Sequence, residues 1–165
     1  AGVSHAPIEL NWFFFSIGVV FWLVLMTIII NRIIFHNPLP QKLVPTLFIL
    51  IAPPAVGMIA YFKLTSEIDR FAIILFNFGL FIELLLFVQI RSFLRVRFFL
   101  SWWAYSFPMA AITIATTLMY ETSPSPFYKY LALTNYILLA TIIVVLILLI
   151  SMSIIKKEIC IIEEE

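Results

Sequence analysis

Residues 12–30 read WFFFSIGVVFWLVLMTIII, without one charged side chain, and four more apolar stretches of similar length follow. Residues 43–62, 98–120 and 130–155 are uncharged as well, and residues 71–90 (FAIILFNFGLFIELLLFVQI) carry only Glu83. At a rise of about 1.5 Å per residue, roughly 20 apolar residues cross a hydrocarbon core about 30 Å thick. Backbone groups in lipid must be paired within the segment, which selects helices over open strands. A water-soluble domain is excluded by composition: at 64% hydrophobic and 12% charged, 165 residues cannot hide their apolar surface. The sequence predicts an all-α integral membrane protein, one transmembrane domain over 1–165 with five transmembrane helices at about 11–35, 42–64, 68–93, 98–121 and 126–156.

Orientation follows from lysine and arginine. Arg32, Lys42, Arg91, Arg95, Arg97, Lys156 and Lys157 fall on one side, against Lys63, Arg70 and Lys129 on the other. The seven-residue side is expected in the cytoplasm of an inner or plasma membrane, with the C-terminus. Arg91, Arg95 and Arg97 then form a cytoplasmic basic flank, read first as an orientation signal. The opening AGVSHAPIEL reads as the end of an earlier element, so the chain is expected to belong to a larger protein.

Two kinds of span alternate. The first, third and fifth carry Phe, Leu, Ile and Val on every side, as suits an outer layer. The second carries Ala52, Pro53, Pro54, Ala55, Gly57 and Ala60, and the fourth Ala104, Pro108, Ala110, Ala111 and Ala115. Small residues let backbones approach closely or leave space beside a helix. A mid-helix proline cannot bond the carbonyl four residues earlier, so Pro53 and Pro54 are expected to release the carbonyls of Ile49 and Leu50, and Pro108 that of Ala104. Both helices should bend near mid-span. Placing Pro54 over Pro108 aligns IAPPAVG with YSFPMAA, a weak internal repeat.

Catalytic chemistry finds no support. His5 and His36 flank the first span on opposite sides, Asp69 is the single aspartate, and Cys160 has no partner for a disulfide. No phosphate-binding loop or catalytic triad is present, no metal or cofactor is implied, and a net charge of +1 suggests no nucleic-acid partner. Glu83 is the one ionisable group deep in a span, at about 2.5–3.5 kcal/mol on insertion scales. It reads as a proton or cation site, or as an interhelical hydrogen bond. The second is preferred, since its helix is of the outer type.

The segments SWWAYSFPMAAITIATT (101–117) and FILIAPPAVGMIAYFKL (48–64) resemble two signature helices of the tellurite-resistance/dicarboxylate transporter family, which includes slow-type anion channels. The resemblance implies ten helices in five hairpins, inner helices ringing a pore, and homotrimers with one pore per subunit. These five spans resemble helices six to ten, so the chain is expected to be the C-terminal half of such a channel, requiring the N-terminal half to enclose a pore. The family's occluding phenylalanine maps onto Phe107, making it the expected gate. Pro53, Pro54, Gly57, Ala60, Ala104, Pro108, Ala111 and Ala115 are the expected pore-lining residues; Ala104, Phe107, Ala111 and Ala115 fall on one helical face. The expected function is passive conduction of small inorganic or organic anions across a lipid bilayer. The rivals are a proton-coupled carrier for malate, sulfite or tellurite, with Glu83 as its proton site, and a non-transporting helical subunit of a membrane complex.

Overall fold

The computed structural model describes residues 6–94 and 98–156. Arg95 and Arg97, like His5, Lys157 and Cys160, lie outside the described residues. Regular structure among the described residues is entirely helical: α1 (Ile8–Phe35), α2 (Ala52–Thr65), α3 (Arg70–Val88), α4 (Ile90–Leu94), α5 (Ser106–Thr122) and α6 (Pro126–Ile155). Two 3-10 segments, Gln41–Ile51 and Leu100–Tyr105, run directly into α2 and α5. Ile8–Phe35, Gln41–Thr65, Arg70–Val88 and Pro126–Ile155 are each long and apolar enough to cross a membrane.

The turns are set by local chemistry. Ser66 ends α2 in the left-handed region at φ 59°, donating its backbone N–H to the Phe62 carbonyl. Asp69 caps α3, its carboxylate accepting from the N–H groups of Phe71 and Ala72. The Tyr61 hydroxyl donates to the same carboxylate at 2.6 Å, so the end of α2 and the start of α3 share one anchor. These hydrogen bonds, that of Tyr61 first, hold the Asp69 carboxyl below the usual aspartate range. At α6, Ser125 accepts from the Tyr128 N–H and Pro126 occupies the first turn, where a missing N–H is harmless.

The prolines behave differently from the expectation of broken α-helices. Each opens an α-helix that follows a 3-10 stretch. The carbonyl of Ile49, which Pro53 was expected to free, accepts instead from the Ala52 N–H, and that of Trp103 accepts from Ser106. At the first junction, pairing three residues apart lets Ala52, the residue before Pro53, take the carbonyl that the proline cannot bond.

The same junction recurs at matching places. Ala52 and Ser106, where α-helix begins, are 54 residues apart, as are Pro54 and Pro108. Burial repeats with the same offset: Ile51 and Tyr105, Pro54 and Pro108, Ala55 and Met109, and Met58 and Ile112 are all buried, while Pro53 and Phe107 are both exposed. The two segments pack side by side, and the Ser101 hydroxyl donates to the Lys42 carbonyl at 2.6 Å near their starts.

α3 occupies the centre, against α2 and α5. Ala72, Leu75, Phe76, Gly79, Ile82, Glu83 and Leu86 are its buried residues, spaced as one helical face. Gly79 permits the approach: a Cβ there would lie 3.3 Å from Ile112 Cδ1 and 3.6 Å from the Ala55 nitrogen. The expectation that α3 resembles α1 and α6 therefore fails in burial, because its glycine and alanine admit neighbours that an all-bulky helix excludes. α1 leans on α2 and α3 through Phe15, Trp22 and Met26, and α6 packs along α5.

Candidate functional site

Two features stand apart from ordinary packing: a pair of open stripes on the proline-bearing helices, and a polar cluster buried between three helices. On the α5 side, Trp103, Phe107, Ala110 and Ile114 follow the open face, with Phe107 62% exposed. On the α2 side, Ile49, Pro53, Val56 and Ala60 occupy the corresponding line, each 54 residues before its counterpart. Neither stripe carries a charge. Ile49 and Pro53 also border a cleft of about 280 Å³ whose other wall is α1, from Gly18 to Ile29.

The expected lining residues divide between these stripes and the helix contacts. Pro53 is exposed; Gly57, Ala60 and Ala104 are half-buried. Pro54, Pro108, Ala111 and Ala115 are buried, Ala115 completely. Phe107 and Ala115 thus lie on one broad side of α5, the ring open and the methyl group covered. The Gly57 hydrogen faces Leu75, whose Cδ1 would be 3.6 Å from an added Cβ. Arg91 is exposed on α4.

Glu83 lies inside the bundle, 2% exposed, at the contact of α3 with α5 and α6. Asn135 of α6 donates from Nδ2 to Glu83 Oε2 and to Thr116 Oγ1 of α5, each at 3.5 Å. The Thr116 hydroxyl donates to the Ile112 carbonyl at 2.7 Å, which leaves its lone pair to accept from Asn135. Glu83 Oε1 has no partner among the described residues. One amide therefore joins three helices. This geometry is an interhelical hydrogen bond, and Glu83 is separated from the open stripe by α5 packing.

Asn135 and Thr116 were absent from the sequence-level site. The signal was there in part, as an amide inside the uncharged run TNYILL, and a buried polar side chain in a membrane helix asks for a partner. Which helix it meets depends on rotation about the helix axis, which apolar neighbours on all sides do not specify.

Residues 2–152 match the sequence profile of the voltage-dependent anion channel family. The chain belongs to that family. Among curated relatives of this family, the chain is similar to the S-type anion channel SLAH2 of Arabidopsis thaliana, 34% identical over 115 residues that cover 70% of this chain and 21% of the relative. It is similar to the guard cell S-type anion channel SLAC1 of the same plant, 28% identical over 126 residues, covering 76% of this chain and 23% of the relative. An uncharacterized transporter of Methanocaldococcus jannaschii, MJ0576, is 26% identical over 151 residues, covering 84% of this chain and 44% of the relative. The chain thus spans less than half the length of each of these relatives. Their names are those of channels and transporters, none of an enzyme.

Proposed function

We propose that this chain forms part of the wall of an anion-conducting pathway, with Phe107 as its constriction. The observation that carries the reading is the exposed Phe107 ring on an uncharged stripe of α5, matched on α2 by Pro53 at the repeat-equivalent place. Relatives named anion channels support the ligand class. An apolar ring in a narrow passage blocks ions by excluding water, and walls without fixed charge bind anions weakly enough to release them, as conduction needs.

In this reading Leu100–Thr122 is a fifth span beside the four long apolar runs. The helices opened by prolines are inner, α1 and α6 are outer, and α3 is buried between them and the inner pair. The arginine-bearing end is cytoplasmic, the chain supplies the C-terminal half of each pore, and the assembly is a homotrimer. Pro53, Ala60, Ala104 and Phe107 line the passage, Gly57 stands at its edge, and Pro54, Pro108, Ala111 and Ala115 set how closely the helices behind it approach. Glu83 holds helices together rather than carrying protons, since its partner in the core is Asn135, which also donates to Thr116.

The test is flux in liposomes containing the full-length protein. Anion current without a proton gradient supports the channel. Dependence on the gradient supports a proton-coupled carrier of dicarboxylate, sulfite or tellurite, and absence of flux from well-assembled protein supports a non-transporting subunit.

A further inference from the structure

A second concavity lies away from the Phe107 stripe. It encloses about 440 Å³ between α3, α4, α6 and the two 3-10 segments. Phe48, Phe87, Phe93, Trp102 and Tyr105 form one wall, and α6 forms the other from Leu138 to Leu146. The rings hold each other edge to face, with Phe48 and Tyr105 centroids 4.7 Å apart. The volume falls within the range of pockets that bury a sizeable organic ligand.

The lining states the chemistry of the occupant. Thr141 is its one aliphatic hydroxyl, and that group is already committed to the Ile137 carbonyl at 2.8 Å. What fits is hydrocarbon. The depth is also defined: Phe87 and Ile90 lie 17 and 20 residues beyond Arg70, so about 26–30 Å along the bundle at helical rise, near one edge of a bilayer core. At that edge the chain is basic. Arg91 is exposed on the same short helix that contributes Ile90 and Phe93 to the lining, and it has no acidic partner among the described residues. The sequence adds Arg95 and Arg97, with no acidic residue between Glu83 and Glu121.

We propose that this cavity is a binding site for an anionic glycerophospholipid, one acyl chain lying between the aromatic wall and α6 and the phosphate resting on Arg91. Hydrocarbon fills the uncharged interior, and the arginine neutralises the headgroup at the membrane edge. A neutral lipid satisfies the first requirement and not the second. The site is separate from the Phe107 stripe, so it stands or falls independently of anion conduction.

Native mass spectrometry of the full-length protein, delipidated and then exposed to phosphatidylglycerol or phosphatidylcholine, tests this directly. Wild type should retain one phosphatidylglycerol per chain in preference to phosphatidylcholine. Val145→Trp fills the cavity from the α6 side and should abolish retention. Leu148→Trp, on an exposed α6 position outside the lining, should leave retention unchanged. Arg91→Gln should keep a lipid bound while the preference for the anionic headgroup falls about fivefold, as expected for one arginine near a membrane surface. Equal retention by Val145→Trp and wild type overturns the site, and an unchanged headgroup preference in Arg91→Gln overturns the role of the arginine. Failure of Val145→Trp to assemble while Leu148→Trp assembles shows the cavity filled by protein, which also overturns the proposal.

Discussion

α5 and α6 lie side by side and are both uncharged over most of their length, yet they are built on different terms. Of the 17 residues of α5, eight are buried, three of them Ala111, Ala115 and Pro108; of the 30 residues of α6, Asn135 and Leu146 alone are buried. Of the two, α6 is long and apolar enough to cross a membrane by itself and α5 is not, yet the more apolar helix is the less buried. In lipid, a leucine gains little by moving from acyl chains to another helix, and close backbone approach or a shared hydrogen bond decides which helices meet. α5 has small residues that admit α2, α3 and α6. α6 is bulky all round and is oriented by one amide and one leucine.

The sharpest test of this contrast is Phe107, the large exposed ring on the otherwise closely packed helix. Phe107→Ala in the full-length protein should raise anion conductance about tenfold or more, equivalent to removing a barrier of about 1.4 kcal/mol. The loss of stability should stay below the roughly 3–5 kcal/mol seen when a buried phenylalanine is truncated. Reduced assembly without a rise in current would place the ring in a packed core.

Next come substitutions that add bulk to each kind of helix. Ala115 is completely buried, and Ala115→Leu should destabilise by about 1–3 kcal/mol through overpacking. Gly18 of α1 has no atom within 4 Å of where a Cβ would stand, so Gly18→Leu should shift stability by less than about 0.5 kcal/mol. Thermal unfolding in detergent compares the two; equal shifts would erase the distinction between the regions.

Smaller effects are expected at the polar cluster. Asn135→Leu removes the one donor that links α3, α5 and α6 and should cost about 0.6–1.7 kcal/mol, the range measured for hydrogen bonds between membrane helices. Glu83→Gln keeps an oxygen for Asn135 and should cost less, with transport and its pH response nearly unchanged. Loss of transport by a well-assembled Glu83→Gln protein would favour the proton-coupled carrier.

The smallest effect concerns the connection of α2 to α3. Because the Asp69 carboxyl is held below its ordinary value, its contribution to stability is complete above about pH 3.9. It is lost as pH falls through the lowered value of the folded protein. Asp69→Asn retains an acceptor for Phe71 and Ala72, replaces the oxygen facing Tyr61 with an amide nitrogen, and removes the titration. Melting temperatures of the two proteins should differ slightly at neutral pH and converge in acid; a gap that persists in acid would show that charge is not the cause.

Much of this molecule could be read from its residues. The expected span at 11–35 lies within α1 Ile8–Phe35, and that at 126–156 nearly coincides with α6 Pro126–Ile155. Family membership was legible in the two proline-bearing segments. The 3-10 stretches were not, since 3-10 and α windings share the same apolar residues and differ only in which carbonyl each N–H selects. The partner of Glu83 was not legible either, because Asn135 is 52 residues away on a helix apolar on every side.

Length and hydrophobicity determined the helical spans, because each span satisfies its own backbone and needs no neighbour to do so. Facing was decided only in three dimensions. Phe107 and Ala111 are about 40° apart around an ideal helix, yet the ring is open and the alanine is covered. That boundary depends on where α2, α3 and α6 close against α5, and the closure depends on Gly79, Ala55 and Ile112 meeting at van der Waals distance from three separate helices.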